Sequence, residues 1–523
     1  MSILINSNNL APQLLKAIWL AAQGNELQLN RVRFTGAGEL PSVFAVTDLA
    51  AAAMGAAGLA LSSLLEAIDL VSNGEQTLAR GAMDSVSARG AMDSVSASGV
   101  MDSASVPAAI AAAFAHGATP TNASASIKTV NVDRRLASFW FAYSLRPSGW
   151  TPPSAEDFVV GDYQTADGWI RLHTNASHHR AAALRALKLA APTGRADVAQ
   201  AVATWTADAL EARVLAEGGC AATMRSWQDW QAHAQGQAVL NEPLLHWQSG
   251  APIAKPFWEF NRNRPLQGLR VLDMTRVLAG PSATRMLAGL GAEVLRVDPP
   301  WWDEPTLAPE MTLGKRCTRL DLRNASERER WISLLSGADI LVHGYRSDAL
   351  SALGLDAEQR QKIRPGLVDV SLDAYGFTGP WKHRRGFDSL VQMSTGIAHA
   401  GQQLAGSATP KPLPVQALDH ATGYILATAA LRGLEVRLRT GAGSIARASL
   451  ARTGALLMTT LNHAEKSNQA LAQETEADQA PAIEDTFWGA ARRLHWPVDV
   501  SGISMQWDQP SGPLGSSEAN WKC

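Results

Sequence analysis

The chain twice sets an aspartate in front of a long apolar run. In "LPVQALDHATG" (413–423) Asp419 precedes Ala421, Tyr424, Ile425, Thr428 and Leu431, the spacing of one buried helix face. In "LPSVFAVTDLAAAAMGAAGLAL" (40–61) Asp48 stands in the same way, predicting a second such helix near 44–70. Between 266 and 375, apolar runs of strand length alternate with helix-length segments. "LRVLDM", "AEVLRVD", "DILVHG" and "LVDVSL" predict buried strands. "SATRMLAGLG" predicts a helix ending at Gly291, and "NASERERWISLLSGA" one capped by Asn324 and closed by Gly337. That alternation argues for a parallel sheet wrapped by helices. A long helix over 420–440 and a turn and strand in "TGAGSIARASL" follow.

Residues 135–250 have a different rhythm. "GDYQTADGWIRLHTN" reads as two strands joined by a turn at Asp167-Gly168. "SHHRAAALRALKL" and "DVAQAVATWTADALEARVLAEGG" read as amphipathic helices, the second stopped by Gly218-Gly219, giving an α+β module. Residues 81–105 carry a nine-residue tandem repeat ("GAMDSVSAR GAMDSVSAS GVMDSAS") with little apolar mass, which predicts an expanded, mobile linker. The polar stretch 465–482 is expected to be mobile, and "SGISMQWDQPSGPLGSS" irregular.

Composition narrows the function classes. A chain of 523 residues, 46% hydrophobic and 18% charged, has room for two to four domains. A net charge of -2 gives no strong pull toward nucleic acid or an anionic membrane. Cys220, Cys317 and Cys523 show no CxxC spacing, which fits a reduced, cytoplasmic setting. The N-terminus has no basic segment followed by a long apolar core, so no signal peptide is expected. Residues 49–65 are uncharged, but they are mostly Ala, Gly and Ser between Asp48 and Glu66, which favours a packed internal helix over a membrane span.

The motifs exclude the commonest uses of such a sheet. "DMTRVLAGPSATRMLAGLG" has no GxGxxG, and "LGKRCT" has Arg316 where a Walker loop needs Ser or Thr. A helix start near Gly280-Pro281 could still hold phosphate through backbone N–H groups. His173, His178 and His179 lack Cys or carboxylate partners at ligand spacing, so no metal site is expected. No GxSxG elbow is present. Asp419 keeps two readings. It is a helix cap worth ~1 kcal/mol, or a carboxylate aimed from a helix start as a covalent nucleophile on an activated acyl group.

"LQGLRVLDMTRVLAGPSATRMLAGLGAEVLRVDPP" closely resembles the opening of the class III CoA-transferases, the CaiB/BaiF group. "GKRCTRLDLR", "ADILVHGYRSDALSALGL", "YGFTGPWKHRRGFDSLVQMSTGI" and "PLPVQALDHATGYILATAALRGLEVRLRTGAGS" follow in the family's order over about 266–450. The resemblance implies an α/β fold, with a Rossmann-like parallel-sheet large domain and a smaller α+β domain. It implies CoA transfer between an acyl-CoA and a carboxylic acid through an aspartyl anhydride and an aspartyl-CoA thioester, with Asp419 catalytic. Arg276, Ala279, Gly280, Lys315, Arg316 and Arg346 would hold CoA, which is a substrate. No tightly bound cofactor or metal is implied.

The sequence also departs from the family. His343-Gly344-Tyr345 and Ser347-Asp348 replace parts of its NFRPG-like segment. Racemases of the family carry a histidine before the aspartate where this chain has Phe387-Asp388, so the resemblance favours a transferase over a racemase, isomerase or lyase. A catalytically silent CoA-binding protein is a third reading.

The parts stand in an unusual order. Residues 1–80 read as a partial large-domain copy with a degenerate aspartate helix, and 81–125 as the linker. Residues 126–255 read as the small domain, 262–460 as the CoA-binding catalytic domain, and 461–523 as a mobile segment and a tail returning to it. The order implies an incomplete internal duplication. Members of the family form interlocked dimers, so a homodimer or a fused pseudo-dimer is expected.

Overall fold

A computed structural model of the protein describes residues 10–89, 128–153, 157–190, 193–253, 258, 261–461 and 469–522. Its centre is a seven-stranded sheet. In spatial order the strands are Lys315–Arg319, Glu293–Asp298, Arg270–Met274, Ile340–His343, Val368–Asp373, Ala442–Ser449 and His246–Pro252. The first six are parallel and the last is antiparallel. The central strands are buried on both faces because helices cover both sides. Chain order reverses direction across the sheet between Arg270–Met274 and Ile340–His343. Crevices at such a switch point are where open α/β sheets bind ligands.

The Ala417–Thr440 helix crosses this sheet, and the Val46–Arg89 helix packs along it. The stretch Val46–Val71 is long and apolar enough to cross a membrane, but it lies almost wholly inside the protein. Both helices share one hydrophobic core with Trp140, Phe141 and Tyr424. The Val46–Arg89 helix continues past 70 and takes in the first unit of the tandem repeat; the rest of the repeat lies outside the described residues. Ala, Met and Arg in that unit are good helix formers, and the preceding turns supply the nucleus.

Three expectations change. The helix expected over 197–219 is two helices, Arg195–Val202 and Ala207–Ala216. The break is held from outside: the Ala166 N–H donates to the Trp205 carbonyl at 2.9 Å, and Asp167 Oδ1 accepts from the Ala207 N–H at 2.8 Å. The segment 126–255 is cut across by long-range pairings. Val130–Asp133 sits between Val32–Thr35 and Val498–Val500, Leu145–Pro147 pairs with Gly489–Arg493, and His246–Pro252 closes the main sheet. The described part of 465–482 is docked. Arg135 grips Asp478 through two hydrogen bonds of 2.6 and 2.8 Å, and Leu471 N–H donates to Glu39 O at 3.0 Å. Its polar side chains serve as partners for a distant part of the chain.

Candidate active site

A cavity of about 270 Å³ opens at the carboxyl edge of the sheet, at the switch point. Residues following three neighbouring strands line it: Arg276 and Val277, then Gly344, Tyr345 and Arg346, then Ala374. Leu450, just after a fourth strand, and Asp419 complete that wall. The opposite wall comes from earlier in the chain, with His178 and His179 at the start of the Ser177–Leu187 helix.

Asp419 is the third residue of the Ala417–Thr440 helix and only 6% exposed. It does not cap that helix. Asp388, 1% exposed, accepts from the Leu418 N–H at 2.8 Å and the Asp419 N–H at 2.9 Å, and also from the Gln392 amide. The helix start is therefore satisfied by a carboxylate thirty-one positions away from Asp419. Among the described residues no group donates to the Asp419 carboxylate. Burial, and then the neighbouring Asp388, push its pKa well above the usual carboxylate range. Burial pushes Asp388 up to about 6, against the hydrogen bonds it accepts. The two carboxyls titrate as a pair.

The helix itself is placed by close backbone packing. A Cβ at Gly423 would lie 2.3 Å from the Ala279 carbonyl oxygen, so only glycine lets the Ala279–Gly289 helix approach. Gly280, in the first turn of that helix, sits against Thr275, where a Cβ would be 2.2 Å from its Cβ. Val277 takes φ +64°, a strained conformation for a β-branched residue. Its N–H donates to Glu304 Oε1 at 2.8 Å, and Trp302 Nε1 donates to the same oxygen at 2.8 Å. Glu304 is fixed in turn by Arg296, buried with Asp298. This buried ion network therefore supports the cavity wall.

Of the residues matched to CoA binding, Gly280 packs on Thr275, and the other five separate into two groups. Arg276, Ala279 and Arg346 line the cavity. The Arg276 guanidinium lies between the Trp302 ring, at 4.3 Å, and the Tyr345 ring, at 4.6 Å. Lys315 and Arg316 lie away from it. The Lys315 ammonium is fully buried, bound to Asp273 Oδ2 and the Pro281 carbonyl at 3.0 Å each. Arg316 is held by Glu293 and Asn520. Alternation along the Lys315–Arg319 strand turns these neighbours to opposite faces, and both have intramolecular partners. The basic pair is structural in this geometry.

The small module is clamped to the cavity by the "RRGFD" segment. Arg384 donates to Glu211 and to the Ala221 carbonyl at 2.8 Å each. Phe387 stacks on His173 at 3.8 Å and meets His179 edge-on. Burial lowers the His173 and His179 pKa values to about 3, so both rings are neutral. His420, beside Asp419, turns into the core against Phe141 and Ser282.

Asp48, also the third residue of its helix, is fully buried and differently surrounded. Arg134 donates to its Oδ1 from Nε at 2.9 Å and Nη2 at 2.6 Å, and the Leu10 N–H donates to Oδ2 at 2.8 Å. Arg134 also binds Glu39. Arg134 begins the helix that directly follows the Val130–Asp133 strand. Leu450, at the cavity, begins the helix that directly follows Ala442–Ser449.

Sequence reasoning did not anticipate Asp388 as the cap, nor Glu304 and Trp302 as the wall. For Asp388 one signal was present: a carboxylate inside the apolar stretch "GFDSLVQM" needs a buried partner. Nothing in the sequence says which one.

Residues 266–491 match the model of CoA-transferase family III. Over that stretch the chain is similar to this family. Over 207 residues the chain is 33% identical to succinyl-CoA:glutarate CoA-transferase of Mus musculus, covering 37% of this chain and 47% of that protein. Over 204 residues it is 31% identical to a probable fatty acyl-CoA transferase of Mycobacterium tuberculosis, covering 36% and 51%. The crystal structure of a CaiB/BaiF family protein from Brucella suis matches at 28% identity and a TM-score of 0.34, covering 44% of this chain and 65% of that one. The chain spans about half the length of the curated relatives it matches.

Proposed function

We propose that this protein transfers coenzyme A from an acyl-CoA thioester to a carboxylic acid, with Asp419 as the nucleophile. The observation that carries the reading is Asp419 itself. It is a buried carboxylate on a cavity wall, its helix start already capped by Asp388, with no donor on it among the described residues. A carboxylate that accepts no hydrogen bonds keeps its lone pairs for a carbonyl carbon. The family match and the names of the relatives support the same chemistry.

In the first step an Asp419 oxygen bonds to the thioester carbonyl carbon and the C–S bond breaks, giving a mixed anhydride and CoA thiolate. The thiolate then attacks the aspartyl carbonyl, releasing the donor acid and leaving an aspartyl-CoA thioester. The acceptor carboxylate and the thiolate repeat the sequence in reverse, which restores Asp419. No net proton is consumed. Arg276 and Arg346 at the rim are suited to the phosphates of CoA. Asp388 would position Asp419 and, as its like-charged neighbour, set the pH at which it ionises.

An acyl-CoA racemase, isomerase or lyase would need a second acid–base group facing the substrate. Asp388 is engaged with the helix start, Phe387 occupies the adjoining wall, and burial makes weak bases of the wall's His178 and His179, which favours transfer. The same proposal covers the architecture. The Val46–Arg89 helix, the Val130–Asp133 strand and the helix after it form a degenerate copy of the Asp419 unit, with Arg134 at the helix start where the Asp419 unit has Leu450. The small module at 157–242 serves the Asp419 cavity.

The test is intact mass after mixing the protein with acetyl-CoA, succinyl-CoA and hexanoyl-CoA, with and without hydroxylamine, beside Asp419→Ala. A CoA-sized, hydroxylamine-labile adduct absent from the variant is expected. CoA binding with no adduct from any donor would overturn the covalent mechanism.

A further inference from the structure

His179 is 3% exposed and lines the same cavity as Asp419. Its Nε2 has a partner, Cys220 Sγ at 3.6 Å. Its Nδ1 is buried and has no hydrogen-bond partner among the described residues. Buried polar atoms of native proteins are nearly always satisfied, so an orphan in a cavity wall points to something that occupies the cavity.

The chemistry of the pair fixes what His179 can offer. Burial pushes the Cys220 thiol up to about 11, so it keeps its proton. The imidazole is neutral and carries one ring proton. An imidazole nitrogen is a far better acceptor than a thiol sulfur, so the S–H donates to Nε2 and the ring proton sits on Nδ1. The unpartnered atom is therefore an N–H donor. Around the imidazole ring stand the His178 ring at 4.1 Å, the His173 ring at 6.3 Å, the edge of Phe387 at 5.8 Å and Arg385, which lines the same cavity. That setting favours an electron-rich oxygen.

We infer that His179 Nδ1–H is the hydrogen-bond donor for the acyl oxygen of the thioester that Asp419 attacks, with Cys220 as the positioning residue that sets its tautomer. As the Asp419 oxygen bonds to the carbonyl carbon, the carbonyl electron pair moves onto that oxygen and the N–H bond to it strengthens. No proton is transferred. The pair returns when the C–S bond breaks and thiolate leaves. This rests on the transfer reading above, and the experiment separates the two.

Adduct formation and turnover are followed with the same three acyl-CoAs for wild type, His179→Phe, His179→Gln, Cys220→Ala and Cys220→Ser. His179→Phe is expected to lower kcat about 10–100-fold with little change in KM, because the donor acts on charge that develops in the transition state. His179→Gln, which can present an amide N–H, is expected to recover part of that loss and also controls for folding. Cys220→Ser, which keeps a donor to Nε2, should stay closer to wild type than Cys220→Ala. Nitrogen-15 spectra of the full-length protein should place the His179 proton on Nδ1, and Cys220→Ala should mix the tautomers. A wild type that transfers CoA while His179→Phe matches it within twofold overturns the inference and leaves the transfer reading standing. A wild type that forms no adduct overturns the transfer reading, and the inferred role with it. A proton found on Nε2 overturns the donor assignment even if transfer is intact.

Discussion

A carboxylate at the third position of a helix is ordinarily drawn to the free N–H groups of the first turn. At Asp419 those groups are occupied by Asp388, and the price is two carboxyls buried side by side. Because the like charge raises Asp419, Asp388→Asn should move the acid limb of adduct formation to lower pH, measured as rate against pH. The stability sign also follows. A carboxyl with a raised folded pKa contributes stability that is fully present below its unfolded value near 4. That stability is lost as pH rises through the folded value, about 6 for Asp388. Asp388→Asn should therefore lose less stability than wild type between pH 4 and pH 8, by on the order of 2 kcal/mol in urea unfolding. At this scale the aspartate was legible and its neighbourhood was not. The helix start in "QALDH" is visible in the spacing of apolar residues, whereas the identity of its cap depends on a contact that no local pattern encodes.

At the scale of elements, the position of Asp419 is set by how closely two helices approach. Gly423 lies one turn beyond Asp419, against the Ala279 carbonyl. Gly423→Ala should force the Ala279–Gly289 and Ala417–Thr440 helices apart. We expect a loss of about 1–3 kcal/mol in thermal or urea unfolding. Adduct formation should fall further than stability explains, since Asp419 moves with its helix. The alternation of strands and helices from Arg270 to Ser449 was readable, because each buried strand and each amphipathic helix carries its own period. The split between Val202 and Ala207 was not, because the hairpin turn at Asp167 imposes it. Lys315 and Arg316 look alike in sequence as a basic pair, and only the structure shows that they point to opposite faces and that each is held by one of the protein's own carboxylates, Asp273 and Glu293.

At the scale of the whole molecule, one aspartate helix opens onto a cavity and the other is sealed by an arginine. Removing one partner of a buried ion pair is costly because the other charge stays behind. Arg134→Leu should destabilise the fold by about 3–5 kcal/mol, read from the urea midpoint, and leave the Asp419 adduct unchanged in amount. Asp48→Asn in the same background should recover part of the loss. An Asp48 adduct in Arg134→Leu would mean that the arginine alone keeps Asp48 silent. The motifs over 266–450 stand in the sequence in order, so the family resemblance and the sheet could be anticipated. The way the first 250 residues join the rest could not. Strand His246–Pro252, the Val46–Arg89 helix and Arg135 all take partners from the last third of the chain.

The packing of the Val46–Arg89 helix along Ala417–Thr440 bears on how the protein is made. The apolar face of the first helix leaves the ribosome about 350 residues before the helix that covers it, on the order of tens of seconds at ordinary elongation rates. Until then one of the least polar surfaces in the chain is without its main partner. Whatever shelters nascent polypeptides must hold it for that interval. The yield of native protein is then governed by elongation speed and chaperone supply as much as by the stability of the finished fold.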